Sequence, residues 1–453
     1  MKRLLLVGLL LIAGCARPPK PTTELPPAPL PLPAPPPQEQ APPEFQPPAA
    51  GQGRVEWIDV GIVVDADSAR VGATGQATVQ GVVEVTRLSS GQFLVARSSG
   101  GRVLVQPAPA TRELAVYEVV DTLVVTPSVP GAFVTIGSKP YRGEVRLYRS
   151  PAGRVTVVNR VATEEYLRGV LPHEIGRLDE KTIEAGKAQA VAARTYALSY
   201  VGRRADQGFD VYASVEDQLY GGVTDEGPLT DRCVRETGSL VAAYHGRLIR
   251  ANYFSTCGGV TANVEDVWPE PALPWLRSTL DADDANDTPY CARSPVFRWT
   301  EIWSVPEFLD IVNRNFPRWI GPLPLGGASV LKGVRVTSRT PSGRVGELII
   351  DTDIGPLAVH GDSTRRVLTR PANSQGQGGG GTMLRSSLFK IELRRGSDGA
   401  PIAVVATGAG YGHGVGLCQW GALEMARRGR NFENILEHYF AGIEIRRAQD
   451  LRG

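Results

Sequence analysis

Between Val55 and about Thr135, apolar and polar positions alternate over short runs: WIDVGIVVD, ATVQGVVEV, QFLVARS, RVLVQPA and LAVYEVV, separated by Gly, Ser and Pro. Valine-rich alternation of period two marks half-buried strands, so this stretch is expected to be β-rich. VRLYRSPAGRVTVVNRV continues the pattern as a hairpin turning at Pro151-Ala152-Gly153. At Thr163 the period changes. In TEEYLRGVLPHEIG, Tyr166-Leu167 and Val170-Leu171 fall at helical spacing, with Thr163 as the N-cap and Glu164 and Glu165 in the first turn. EAGKAQAVAARTYALSYVGRR follows. Its Ala188, Ala190, Ala192, Ala193 and Ala197 permit close approach on several sides, which predicts a buried helix with Gly186 as its weak point. Strands are expected from Ser239 to Tyr253 and in KGVRVTSR, GELIIDT, GPLAVHG and IAVVATGAG. Helices are expected at Trp303 to Asn315, GALEMARRG and FENILEHYF, and a flexible loop at Ser374 to Thr382. Strands and helices intermix without regular βα alternation, so the fold class is α+β.

The N-terminus changes the picture from a soluble enzyme-sized chain to an exported one. Lys2 and Arg3 precede an apolar run, Leu4 to Ile12, that is too short to span a bilayer and reads as a signal peptide. It ends Ile12-Ala13-Gly14-Cys15, which resembles a lipobox. Residues 1–14 are then expected to be removed and Cys15 to carry lipid, with Ala16 after it favouring the outer membrane where one exists. Arg17 to Gly51 is dominated by proline, so residues 15–53 form an extended linker with a reach of roughly 100 Å. The β-rich region is set at 54–135 and a second, mixed region at 136–450.

The 42% apolar and 21% charged residues are those of a globular body, and a net charge of +2 gives no electrostatic reason for a nucleic-acid partner. With Cys15 lipidated, four cysteines remain, Cys233, Cys257, Cys291 and Cys418. An even number in an exported chain favours disulfides, with three possible connectivities.

Seven separated segments carry a resemblance: YLRGVLPHEI (166–175), EAGKAQAVAARTYAL (184–198), QLYGG (218–222), ANYFSTCGGVTANVEDVW (251–268), LRSSLF (384–389), GYGHGVGLCQWGALEMA (410–426) and ILEHYFAGIEI (435–445). In this order they resemble the SpoIID/LytB family of bacterial cell-wall proteins, which makes 136–450 a SpoIID/LytB domain. The resemblance implies peptidoglycan glycan strands as the partner. It also implies one of two activities: a lytic transglycosylase, or a non-catalytic amidase enhancer that binds wall or stimulates a cell-wall amidase.

Glu174 occupies the position of the family's catalytic glutamate. A lytic transglycosylase needs one carboxyl group, protonated first and then ionised, and requires no cofactor. Apolar neighbours such as Leu171 and Ile175 would raise its pKa. By pattern alone, Glu174 reads as a helix-end residue paired with Arg177 or Lys187, and it is the resemblance that points instead to catalysis.

In the glycine-rich segment 412–421, His413 and Gln419 offer donors for sugar hydroxyls or N-acetyl groups, and Trp420 is either a stacking surface or core. Ser255 and Thr256 are expected to bind glycan or to form a plain turn. Arg194, inside the buried helix, needs an anionic partner, and either orients Glu174 or serves structure. Zinc-carrying family members place Cys and His just before the Gln of the third segment. Here those positions read Tyr212 to Asp217, so no metal is expected there. Cys257 and Cys418 stand where some members carry serine. Disulfides are expected, with Cys257–Cys291 the first choice, and ligation of a metal with His413 the alternative.

Overall fold

The computed structural model describes residues 57–82, 85–108, 116–371 and 383–451. The signal peptide, Cys15, the proline-rich linker and the 374–382 loop lie outside the described residues.

The described residues build three large hydrophobic cores and two small satellite clusters. In the first, two antiparallel-rich sheets face each other. The seven-stranded sheet runs in the order 211–212, 57–66, 155–162, 144–149, 122–127, 77–80, 87–88. The six-stranded sheet runs 139–141, 134–136, 68–73, 93–99, 102–108, 117–118. Alternation works as expected: in Thr122–Pro127, Leu123 and Val125 are buried while their neighbours are half-exposed. Trp57 pairs with Ala162 and Val60 with Asn159, so strands from either side of residue 135 share one sheet. A boundary at 135 therefore runs through the body of this β unit.

Seven α-helices are present among the described residues: α1 (Thr163–Glu174), α2 (Ile183–Ser199), α3 (Pro228–Glu236), α4 (Val305–Trp319), α5 (Ser363–Val367), α6 (Gln419–Arg427) and α7 (Phe432–Tyr439). The cap of α1 falls one residue earlier than expected. Ala162 is the N-cap, without a side-chain cap bond, and Thr163 is buried inside the first turn. The Ala-rich α2 is buried on opposite sides: Ala190, Ala193 and Ala197 belong to the first core, Ala185, Ala188 and Ala192 to the second. Gly186 is needed rather than merely tolerated, because a Cβ there would lie 2.5 Å from both Cys233 Sγ and Leu178 Cδ1.

The second core gathers α2, α6, α7 and the segments around 251–291. Its organising feature is a short parallel pair, Tyr253 with Leu417 and Phe254 with Cys418, extended by bridges Thr256–Tyr411 and Ala262–Val415. The third core packs α4 and α5 with two three-stranded sheets, 298–304/401–409/389–395 and 331–339/345–352/355–360. No described helix is long and apolar enough to cross a membrane.

Candidate active site

Glu174 is the last residue of α1. Pro172, two residues from the end, contributes no N–H, and the Ile175 N–H closes the helix on the Leu171 carbonyl. The carboxyl thus projects where the helix ends, at the negative pole of its dipole, a place that disfavours a carboxylate. Its partners come from three distant segments. The Leu219 N–H donates to Oε1 at 3.0 Å, Gln419 Nε2 donates to Oε2 at 3.5 Å, and the Tyr253 hydroxyl also hydrogen-bonds to it.

Glu174 makes no ion pair among the described residues. Lys187 is taken by Glu184 and Glu236, each at 2.8 Å, so the pairing with Lys187 or Arg177 weighed from the sequence is not formed. Burial pushes the Glu174 carboxyl above its ordinary range. The Leu219 N–H, Gln419, Tyr253 and the neighbouring His173 pull the other way. The adjacent carboxylates are occupied. Asp217 accepts from Arg204 at 2.9 Å and from the Tyr212 N–H at 2.7 Å, and Asp225 contacts His173 at 2.9 Å.

Tyr253 is held by a relay of neutral groups. Gln218 is fully buried, and its Nε2 donates to the Ala193 carbonyl at 3.2 Å and to the Tyr253 oxygen at 2.9 Å. Its Oε1 accepts from the Tyr166 hydroxyl at 3.0 Å. Since the Tyr253 oxygen already receives a proton from Gln218, its own O–H is left to donate, and Glu174 is the acceptor. Gln419, at the start of α6, is also 3.4 Å from Gln189 Oε1. Gln189 is fully buried, and its Nε2 has no hydrogen-bond partner among the described residues. Tyr253, Gln218 and Gln189 were not singled out from sequence. The available signal was a lone Gln in the Ala-rich α2 and the Gln and Tyr of two family-like segments.

The residues expected around Glu174 divide. Gln419 reaches it. His413 does not offer a free donor: Nδ1 accepts the Val415 N–H at 3.1 Å, which leaves Nε2 to donate to the Tyr253 carbonyl at 3.0 Å. Its ring lies against Phe254 and Trp268, and burial, with Arg365 next, pushes it down to about 3. It is a neutral brace behind Tyr253. Gly414, at φ +92°, has the Arg344 guanidinium where a Cβ would stand, so the turn admits glycine alone.

Ser255 stays partly exposed and contacts Thr256, whereas the Thr256 hydroxyl is buried against Ser294 at 2.7 Å, inside the turn rather than toward a groove. Trp420 is half-buried against the second core. Arg194 is 1% exposed and forks onto Glu164, both bonds at 2.7 Å, with a further bond to the Leu240 carbonyl at 3.0 Å. It ties α2 to α1 and does not reach Glu174.

None of the four described cysteines is disulfide-bonded; all are buried and free. The Cys257 and Cys291 sulfurs stand 3.4 Å apart. Cys233 lies separately, its Sγ 3.6 Å from the Ile183 carbonyl.

The profile for stage II sporulation protein matches residues 151–244, which include Glu174, Gln189 and Gln218. A domain of unknown function, DUF8618, matches 289–416, the span of the third core. An uncharacterized protein of Brachyspira hyodysenteriae is 30% identical over 291 residues, covering 64% of this chain and 68% of that protein. Stage II sporulation protein D of Bacillus subtilis is 29% identical over 307 residues, 64% of this chain and 76% of its own. The amidase enhancer of Bacillus subtilis is 26% identical over 307 residues, but the match spans only 40% of that longer protein. With seven family-like segments in order along the sequence and these relatives matched along most of the described chain, the chain belongs to the SpoIID/LytB family.

Proposed function

We propose that this chain is a peptidoglycan-active protein that cleaves glycan strands as a lytic transglycosylase, with Glu174 as acid and then base. One observation carries the reading: Glu174 is a desolvated carboxyl with no ion-pair partner among the described residues, hydrogen-bonded by a peptide N–H, an amide and a phenol. Such a group titrates between its two forms more readily than an ion-paired carboxylate, which stays ionised.

In the proposed reaction the protonated Glu174 gives its proton to the glycosidic oxygen as the bond from the muramyl C1 breaks. The carboxylate left behind takes the proton of the muramyl C6 hydroxyl, whose oxygen then bonds to C1 and closes the 1,6-anhydro ring. The proton is conserved and no water enters. The Tyr253 hydroxyl and the Leu219 N–H stabilise the carboxylate during the second half, while burial keeps the first half accessible. Electrospray mass spectrometry of wall digests tests this: anhydro-muramyl ends are expected with the wild type.

Similarity to an amidase enhancer supports a second reading, in which the same domain binds wall and stimulates an amidase without cleaving glycan. Release of stem peptides only when an amidase is present, with no anhydro ends, would favour that reading.

For localisation we propose an exported lipoprotein anchored through Cys15, with the proline-rich linker reaching into the wall. Cys15→Ser is expected to move the protein from the membrane fraction to the soluble fraction; unchanged membrane association would refute it.

A further inference from the structure

We infer that Cys257, Cys291, Cys418 and Asp281 form a structural zinc site that clamps together the two chain segments bordering Glu174. The three sulfurs and a carboxylate oxygen lie within 4.8 Å of one another, and all four residues are buried. Zinc binds thiolate at about 2.3 Å, which places the sulfurs of a tetrahedral site roughly 3.8 Å apart. The spread of the four donors fits that figure after small side-chain adjustments. Soft thiolates select zinc over magnesium or calcium, and four protein ligands in a closed pocket mark a structural rather than a catalytic ion.

The surroundings are built for such an ion. Backbone N–H groups point at sulfur: Cys257 N to Cys418 Sγ at 3.2 Å and Gly259 N to Cys257 Sγ at 3.4 Å. Donors of this kind hold thiolates in place around a metal. Asp281 is oriented from both sides, Oδ1 by the Tyr439 hydroxyl at 2.6 Å and Oδ2 by the Cys291 N–H at 2.9 Å. It enters no ion pair among the described residues. Arg344, 2% exposed, reaches in from the third core and donates to the Cys257 carbonyl at 3.2 Å and the Val260 carbonyl at 3.1 Å. It too has no ion-pair partner among the described residues. Zinc with three thiolates and one carboxylate carries a net charge of two minus, and the Arg344 cation beside it offsets half of that.

The arithmetic of the donors separates this from a disulfide. A Cys257–Cys291 bridge would use two sulfurs and leave the Cys418 thiol beside a buried carboxyl. One divalent ion uses all four groups, with release of the thiol protons and no oxidant. The cluster is separate from Tyr212–Asp217, where some family members carry zinc ligands.

The clamp has a consequence for the site. Cys418 directly precedes Gln419, and Cys257 follows the strand that carries Tyr253, so the ion would fix two of the partners of Glu174. This positioning role rests on the proposed function; the metal site does not.

The full chain isolated from its native compartment decides it. Elemental analysis should find one zinc per chain, lost in Cys418→Ser and Cys291→Ser and retained in Cys233→Ser. Cobalt(II) exchanged into the wild type should show thiolate-to-metal charge-transfer absorption, and a strong chelator should lower the melting temperature. A metal-free protein with a Cys257–Cys291 disulfide overturns the inference. So does a fully reduced wild type that takes up neither zinc nor cobalt, a result that does not depend on any variant folding. If zinc is present but its removal leaves glycan cleavage unchanged, the positioning role fails. If zinc is present and no cleavage occurs at all, the enzyme reading fails and the metal site stands.

Discussion

Replacing Glu174 with Gln removes the titratable proton while keeping nearly the same volume. General acid–base catalysis typically contributes about 10²–10⁴-fold, so formation of anhydro ends should fall by at least that factor. The stability effect follows from the contacts. Burial raises the folded-state pKa of Glu174 above its unfolded value. The folded state therefore binds the proton more tightly, and the stability this gives is lost as pH rises from the unfolded pKa through the folded pKa, with no further change above it. The neutral amide is spared that cost.

Its Oε1 can still accept the Leu219 N–H, now 3.0 Å from the carboxylate, but its Nε2 would face the Gln419 Nε2. One amide must turn over, at a cost of about 1 kcal/mol for a displaced hydrogen bond. The two effects oppose each other, so the melting temperature at neutral pH should shift by only a few degrees. Had Glu174 been one half of a buried ion pair, the loss would be about 3–5 kcal/mol. Anhydro-product formation, glycan pull-down and thermal melts on wild type and Glu174→Gln measure all three quantities. Undiminished cleavage by a folded Glu174→Gln would refute the assignment, and a large fall in melting temperature would refute the account of its surroundings.

Because the acid must begin protonated, cleavage should decline with rising pH, with a midpoint above the ordinary glutamate value of 4.5. Tyr253→Phe deletes a hydrogen bond that favours the carboxylate, so a pH–rate series should show that midpoint moving further up; a downward move would contradict the relay through Gln218. Gly186→Ala gains helix propensity of up to about 1 kcal/mol but places a Cβ 2.5 Å from the Cys233 sulfur. Overpacking of this kind costs about 1–3 kcal/mol, so denaturant melts should show net destabilisation, relieved only in part in Gly186→Ala/Cys233→Ala because Leu178 Cδ1 stands equally close.

Local pattern determined much of this protein. The change from period two to period 3.6 at Thr163 located α1, and the density of alanine identified α2 as a helix buried on more than one side. Ordered segments pointed to the family and, within it, to Glu174. These are properties of one element and its own neighbours, which is what periodicity and short motifs report.

Convergence was decided elsewhere. Gln419 meets Glu174 across 245 positions of sequence, and Cys257 meets Cys418 across 161. Both follow from a two-residue parallel strand pair too short to leave a periodic trace. His413 illustrates the same limit: its type suggested a sugar donor, but packing behind Tyr253 spends both ring nitrogens on backbone. Arg194 called for an anion, and tertiary structure supplied Glu164 from the preceding helix rather than Glu174. A side chain's chemistry is written in its residue type. Which groups it faces depends on how distant elements pack, and that alone sets whether a donor is spent, a carboxyl is desolvated, or three thiols and a carboxylate share one pocket.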